Sequence, residues 1–330
     1  MEQTQTQTSK QEVVIQIQDL KKHYQVGSGG FFGKEKRVLR ALDGVSLEIH
    51  KGEIFGIVGE SGCGKSTLGR SMLRLFPVTG GSILFHGKDI TSLDRSALKP
   101  YRRDMQMIFQ NPFSSFNPKH SIGSALREVG QVHGMSREET EEKLSSLMEY
   151  ISLPLDILKR SPGELSGGQL QRLAIARALM LDPSFIVADE PVSALDVSVQ
   201  AQILNLIVDL RRKLDMTMLF ISHEMIVIEH LCDKVAVMYL GQVMEMAETR
   251  ELFSNLLHPY TQALMSAIPK ADPAADRERI ILEGDVQSAM DLPRGCRFAS
   301  RCRRCTQRCK EEAPILRDVG DGHLVACHFV

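Results

Sequence analysis

The sequence is short of net charge: 40 Lys+Arg against 41 Asp+Glu leave -1 over 330 residues. That balance argues against a dedicated nucleic-acid binder, whose footprint is a strongly basic domain. It also lacks long apolar runs. None approaches the ~20 residues needed to span a bilayer, and the opening MEQTQTQTSKQE has no apolar core of a secretory signal. These absences lead to the expectation of a cytosolic protein. Tryptophan is missing and aromatics make up only 5%, within an otherwise ordinary composition of 43% hydrophobic and 25% charged residues. A chain of this length suits two domains, at ~100–200 residues each, and can bury a core without disulfides or a metal.

Cysteine is neither absent nor scattered. Of the 7 cysteines, Cys296, Cys302, Cys305, Cys309 and Cys327 fall in the last 35 residues, apart from Cys63 and Cys232. In a reducing compartment such a cluster reads first as a metal candidate rather than a disulfide framework.

Residues 1–12 are Gln/Thr-rich and read as a flexible N-terminus. Val13 to Ile17 alternates as a first strand, and a loop is expected from Gly27-Ser28-Gly29-Gly30 through Lys34-Glu35-Lys36. Four short apolar runs read as buried strands: 53–58, 185–188, 218–221 and 235–238. Between them lie helical patterns, including a capping-box signature at Ser136 and Glu139. Alternating strands and helices predict an α/β fold with a mostly parallel sheet. A helix-rich insertion is expected at about 113–165, and a separate C-terminal extension after about 250, where proline, arginine and cysteine become prominent.

Chemistry enters at Gly59-Glu60-Ser61-Gly62-Cys63-Gly64-Lys65-Ser66-Thr67, a P-loop pattern between an expected strand and an expected helix. Its glycines let backbone N–H groups curl around a phosphate, and the helix N-terminus adds positive potential. Lys65 is expected to reach the β/γ-phosphates of a nucleotide, and the Ser66 hydroxyl to hold Mg²⁺. Cys63 occupies a position that the pattern leaves free. A second strand ends in Asp189-Glu190. There Asp189 is expected to orient Mg²⁺ and Glu190 to accept a proton from attacking water. Leu165-Ser166-Gly167-Gly168-Gln169 opens a further helix and reads as a second anion site, which in a chain with one nucleotide suggests a partner chain.

In this order and spacing the residues resemble the ABC transporter ATPases. Walker A lies at 59–67, the signature at Leu165–Gln169 and Walker B at Ile186–Glu190. The D-loop is Ser193-Ala194-Leu195-Asp196 and the switch is Ser222-His223. The resemblance covers about 13–250 and implies a P-loop NTPase domain of the ABC type with a helical subdomain. It makes Gln110 the Q-loop glutamine and an Mg²⁺ contact, Tyr24 the aromatic stacked on adenine, and His223 the contact to the γ-phosphate. Gly59, Ser61, Gly62, Cys63, Gly64, Lys65, Ser66 and Thr67 become the ATP-binding set, with Lys65, Glu190 and His223 catalytic. Two such domains would close head to tail around ATP.

Longer strings are similar to the oligopeptide/dipeptide importer branch, in its second ATPase subunit type: Phe113-Ser114-Ser115-Phe116-Asn117-Pro118, Pro191 through Ser198, His258-Pro259-Tyr260-Thr261 and Gly295-Cys296-Arg297-Phe298. That likeness implies a peripheral ATPase on the cytoplasmic face of the membrane, energising peptide import. Its partners would be a second, homologous ATPase subunit, two transmembrane permease subunits and an extracytoplasmic solute-binding protein, with no nucleic acid. Residues 111–135 would receive a coupling helix. The other readings are a soluble ABC ATPase acting on a nucleic-acid or ribosomal partner, and an importer ATPase for nickel or another small solute.

The basic run around the cysteines, with Arg294, Arg297, Arg301, Arg303, Arg304, Arg308 and Lys310, would favour thiolates. Spacing alone does not choose between zinc and a 4Fe–4S cluster. The resemblance implies a 4Fe–4S cluster on Cys296, Cys302, Cys309 and Cys327, with zinc as the alternative and Cys305 outside the pattern.

Overall fold

The structure, a computed structural model, describes residues 12–27, 37–268, 280–284 and 287–330. The flexible N-terminus expected over 1–12 lies outside these except for Glu12, as does the expected loop from Ser28 through Lys36.

The centre is an eight-stranded sheet. Met105–Ile108, Phe185–Asp189, Met218–Ile221, Ile54–Val58 and Lys234–Tyr239 run parallel, in that spatial order. Gln242–Glu248 turns back antiparallel beside Lys234–Tyr239, and the short C-terminal strands Leu324–Val325 and Arg317–Asp318 extend that edge. The continuous apolar runs are explained by burial on both faces, as expected of a parallel sheet. Phe55, Ile57, Phe185, Val187, Leu219 and Ile221 point into one core, whereas Ile54, Val58, Ile186, Ala188, Met218 and Phe220 point into the other.

The first core is closed by a second, antiparallel sheet that the sequence reading did not anticipate. Val13–Val26 runs well past the expected strand, and it pairs with Arg37–His50 on one side and Gly80–Phe85 on the other. The second core is covered by helices. Ile122–Val132 and Arg137–Tyr150 are helices within the stretch 113–165, and Ser136 and Glu139 make both bonds of the capping box. Such a cap stabilises its helix by about 1 kcal/mol. Gly167–Leu179 and Val197–Leu214 complete the layer.

The tail closes back on the core. Tyr260 on the helix Pro259–Ser266, Phe298 and Tyr239 at the end of a central strand form an aromatic cluster with ring centroids 4.8–5.4 Å apart. Beneath it the buried carboxylate of Glu245 accepts hydrogen bonds from the backbone N–H groups of Leu257 and His258 and contacts the His323 ring at 2.9 Å.

Candidate functional site

The loop after Ile54–Val58 carries the P-loop residues onto the helix Lys65–Met72. Glycine is required here by geometry. Gly64 has φ +109 and a side chain on it would meet the Ala41 carbonyl oxygen at 2.4 Å; at Gly59 a side chain would strike the Met238 carbonyl oxygen at 2.2 Å. The loop therefore curls tightly against the strand Arg37–His50 and the end of a central strand.

An open cleft forms over this loop. Ser61, Gly62, Gly64, Lys65, Ser66 and Thr67 line it, together with Tyr24, Gln110 and Glu190 from other elements. Lys65 Nζ, nearly buried, donates to the carbonyls of Gly59 at 2.7 Å and Glu60 at 3.2 Å and lies 3.9 Å from Glu190. The Ser66 hydroxyl donates to Asp189 Oδ1 at 2.7 Å, and Arg70 holds the other carboxylate oxygen at 3.3 Å. Hydroxyl plus carboxylate, beside a phosphate loop, is the hard-oxygen set that Mg²⁺ takes together with substrate phosphates.

Glu190 follows the strand at φ 48, a left-handed conformation that costs a non-glycine residue about 1 kcal/mol or more. The turn brings its carboxylate to Gln110 Nε2 at 3.0 Å and His223 Nδ1 at 3.5 Å. Gln110 also donates to Ser193 Oγ at 3.2 Å. Five residues from four separate segments thus converge: Lys65, Gln110, the neighbours Glu190 and Ser193, and His223. Tyr24 sits at the cleft's edge, partly exposed, with Lys22 Nζ 4.8 Å from its ring.

Two groups in the expected ATP-binding set stand apart. Gly59 and Cys63 are not among the residues lining the cleft. Cys63 is buried, and burial pushes its thiol up, so it is a core group and not a reactive thiolate. Leu165, Ser166, Gly167, Gly168 and Gln169 also do not line the cleft. Ser166 and Gln169 cap their own helix, each side chain meeting the other's backbone N–H at 3.3 and 3.1 Å. Leu195 of the D-loop segment Ser193–Asp196 lies against Gly167.

The cysteine expectation is overturned. Among the described residues no three His, Cys, Asp or Glu side chains are placed to hold a metal ion. The iron–sulfur cluster on Cys296, Cys302, Cys309 and Cys327 is therefore withdrawn, and the zinc alternative has no support. The physical reason lies in the arginines. Arg297 turns to the Asp43 carboxylate and the Leu240 carbonyl, Arg301 to Glu60, Arg303 to the Ile281 carbonyl and Arg308 to Glu312. With those cations engaged elsewhere, burial and neighbouring thiols push Cys296 up to about 11 and Cys302 in the same direction. Burial thus disfavours the thiolate form at Cys296 and Cys302. Sequence reasoning also missed Glu60, Tyr260 and Arg301, which join the tail to the P-loop; no local pattern marks a contact spanning 241 residues.

Comparison with known proteins agrees with this architecture. Residues 42–193 match the ABC transporter family, and residues 244–309 match the C-terminal region of the oligopeptide/dipeptide transporter family. The chain is 46% identical over 325 residues to the oligopeptide transport ATP-binding protein AppF of Bacillus subtilis, covering 97% of this chain and 98% of that protein. It is 47% identical to the dipeptide transport ATP-binding protein DppF of Escherichia coli, covering 97% and 95%. Among solved structures it is similar to the ATP-binding cassette MJ0796 in a dimeric post-hydrolysis state bound to ADP and Pi, with TM-score 0.63, 28% identity and coverage of 72% and 99%. CbiO1 of Clostridium perfringens, part of a cbiONQ ABC transporter complex, gives TM-score 0.64 at 25% identity, covering 74% and 92%. On the combination of fold, cleft and near-complete similarity, this chain belongs to the ABC transporter ATP-binding proteins of the oligopeptide/dipeptide transporter family.

Proposed function

We propose that this chain is the ATP-hydrolysing subunit that powers peptide import through a membrane ABC transporter. The observation that carries this reading is similarity along nearly the whole chain, tail included, to oligopeptide and dipeptide transport ATP-binding proteins. No helix among the described residues is long and apolar enough to cross a membrane, so the translocation path would belong to other chains. The chain would act peripherally on the cytoplasmic face, with two permease subunits, a second homologous ATPase and a solute-binding protein. Within it, residues 13–250 would be the ATPase domain, about 113–165 its helical subdomain and 251–330 the cysteine-containing importer-type extension.

In this reading Tyr24 stacks on adenine and the N–H groups of 61–67 cradle the phosphates. Ser66, Asp189 and Gln110 would hold Mg²⁺, which would supply positive charge beside the phosphate oxygens. Lys65 leaves its carbonyl partners for the phosphate oxygens. Glu190 accepts a proton from water, held in place by Gln110 and by the backbone turn at its own position. His223, 3.5 Å from Glu190, orients at the γ-phosphate. Ser166–Gln169 completes the site of a facing subunit, since these residues do not line their own chain's cleft.

Mild-detergent purification from membranes should recover two polytopic subunits and a second ABC ATPase. Vesicles loaded with ATP should take up labelled peptide through that complex, and Lys65→Ala should stop uptake. Recovery of nucleic acid or ribosomes in place of membrane subunits would contradict the proposal.

A further inference from the structure

Glu60 occupies a position that the P-loop pattern leaves free, yet every polar group it has is engaged. Its backbone N–H donates to the Tyr260 hydroxyl at 2.9 Å, its carbonyl accepts from Lys65 Nζ at 3.2 Å, and its carboxylate takes both terminal nitrogens of Arg301, at 2.6 and 3.2 Å. Tyr260 is fully buried and the Arg301 side chain almost so. Tyr260 stands in the aromatic cluster with Tyr239 and Phe298, and Arg301 ends the short turn Ala299–Arg301 that follows Phe298. A second strap runs alongside: Arg297 binds Asp43 and the Leu240 carbonyl, and the N–H of neighbouring Gly241 donates to the Cys63 carbonyl at 2.8 Å.

We propose that Arg301 and Tyr260 are positioning residues for the phosphate loop, through which the C-terminal region sets the chain's affinity for nucleotide. Gly59, Gly62 and Gly64 all have positive φ, and a loop so rich in glycine has many alternatives to the curled form. Ordering it when phosphate arrives would weaken binding by the entropy lost; ordering it beforehand removes that cost. The core ties the loop at its two ends, by the strand before it and the helix after it, and at the Cys63 carbonyl through the Gly241 N–H. The tail ties Glu60 in between, at backbone and side chain together, and a bidentate arginine–carboxylate pair fixes direction as well as distance. Because Glu60 carries the carbonyl on which Lys65 rests, its position also sets where that ammonium starts its reach.

The inference rests on the 59–67 loop binding ATP, so the test separates the two claims. Equilibrium binding of ATP with Mg²⁺ to the full-length chain is measured by calorimetry, beside steady-state hydrolysis and thermal melting. Tyr260→Phe keeps the ring in its cluster and removes only the hydroxyl; Arg301→Gln removes the bidentate pair. Each should weaken ATP binding and raise KM about tenfold, the size of one charge-assisted or buried hydrogen bond, while kcat at saturating ATP changes less than about twofold. Arg301→Lys should recover part of the affinity. A merely structural tail would lower the melting temperature and leave KM unmoved. If Arg301→Gln does not fold, Tyr260→Phe decides alone. Unchanged affinity in folded variants overturns the proposal, and failure of the unaltered chain to bind ATP overturns the nucleotide reading beneath it.

Discussion

Two stretches of this chain are crowded with reactive residue types, and they end in opposite states. In the cleft, Lys65, Gln110, Glu190 and His223 come from four separate elements and converge beside open space. In the tail, five cysteines and seven basic residues lie close in sequence, but the arginines disperse to Asp43, Glu60, Glu312 and carbonyls while burial pushes the Cys296 and Cys302 thiols up. The lesson is that density along the chain does not make a site. Convergence on a space that a ligand can enter does, and the tail instead uses its charges to hold the core.

The comparison breaks if the cleft tolerates loss of its charge. Lys65→Ala should lower ATP turnover by about a hundredfold to a thousandfold, as expected on removing a group that stabilises developing charge. Steady-state phosphate release measures it, and an effect under tenfold would place the chemistry elsewhere.

The tail, which leaves turnover at saturating ATP nearly unchanged, should show itself in stability as well as in affinity. Burial lowers His258 to about 4, so its ring is neutral in the folded chain at neutral pH. The unfolded chain binds a proton there as pH falls through about 6.5, and the folded one does not until about 4. Stability is therefore full above that window and lost as pH drops across it, by about 3 kcal/mol. His258 packs by its backbone N–H on Glu245 and caps Tyr260, so the loss falls on the docking of the tail. Thermal melting between pH 7 and 4 should show the decline, and His258→Asn, which cannot titrate, should flatten it.

The smallest effect concerns the thiols. At neutral pH, N-ethylmaleimide should modify the half-buried Cys305 and Cys327 before the buried Cys296 and Cys309. Peptide mass spectrometry gives the order; Cys296 reacting first would restore an activated thiolate to the tail.

The difference between the regions also explains what the sequence could disclose. Four of the five parallel strands were legible because burial on both faces writes itself as unbroken apolar runs, as in 185–188 and 218–221; Met105–Ile108, at the sheet edge and interrupted by Gln106, was not. The P-loop and Asp189-Glu190 were legible because each sits where a strand ends. The strand Arg37–His50 was not. It is half-exposed, its burial alternation is irregular, and its pairing with Val13–Val26 shifts register at four places. The contacts of Glu60 with Tyr260 and Arg301 were hidden for another reason: their sequence separations of 200 and 241 leave no local trace. At the cysteines, counting nearby cations suggested thiolates, because a sequence records charges and not the directions in which they point.

The central claim is that the cleft hydrolyses ATP with Glu190 as its base. The most direct test is Glu190→Gln, which keeps the shape and the Gln110 contact region and removes the proton acceptor. ATP binding and steady-state hydrolysis are measured on the same preparation. The account predicts binding within about threefold of the unaltered chain and turnover lower by about a hundredfold or more, the contribution usual for a general base. Near-normal hydrolysis by that variant would contradict it.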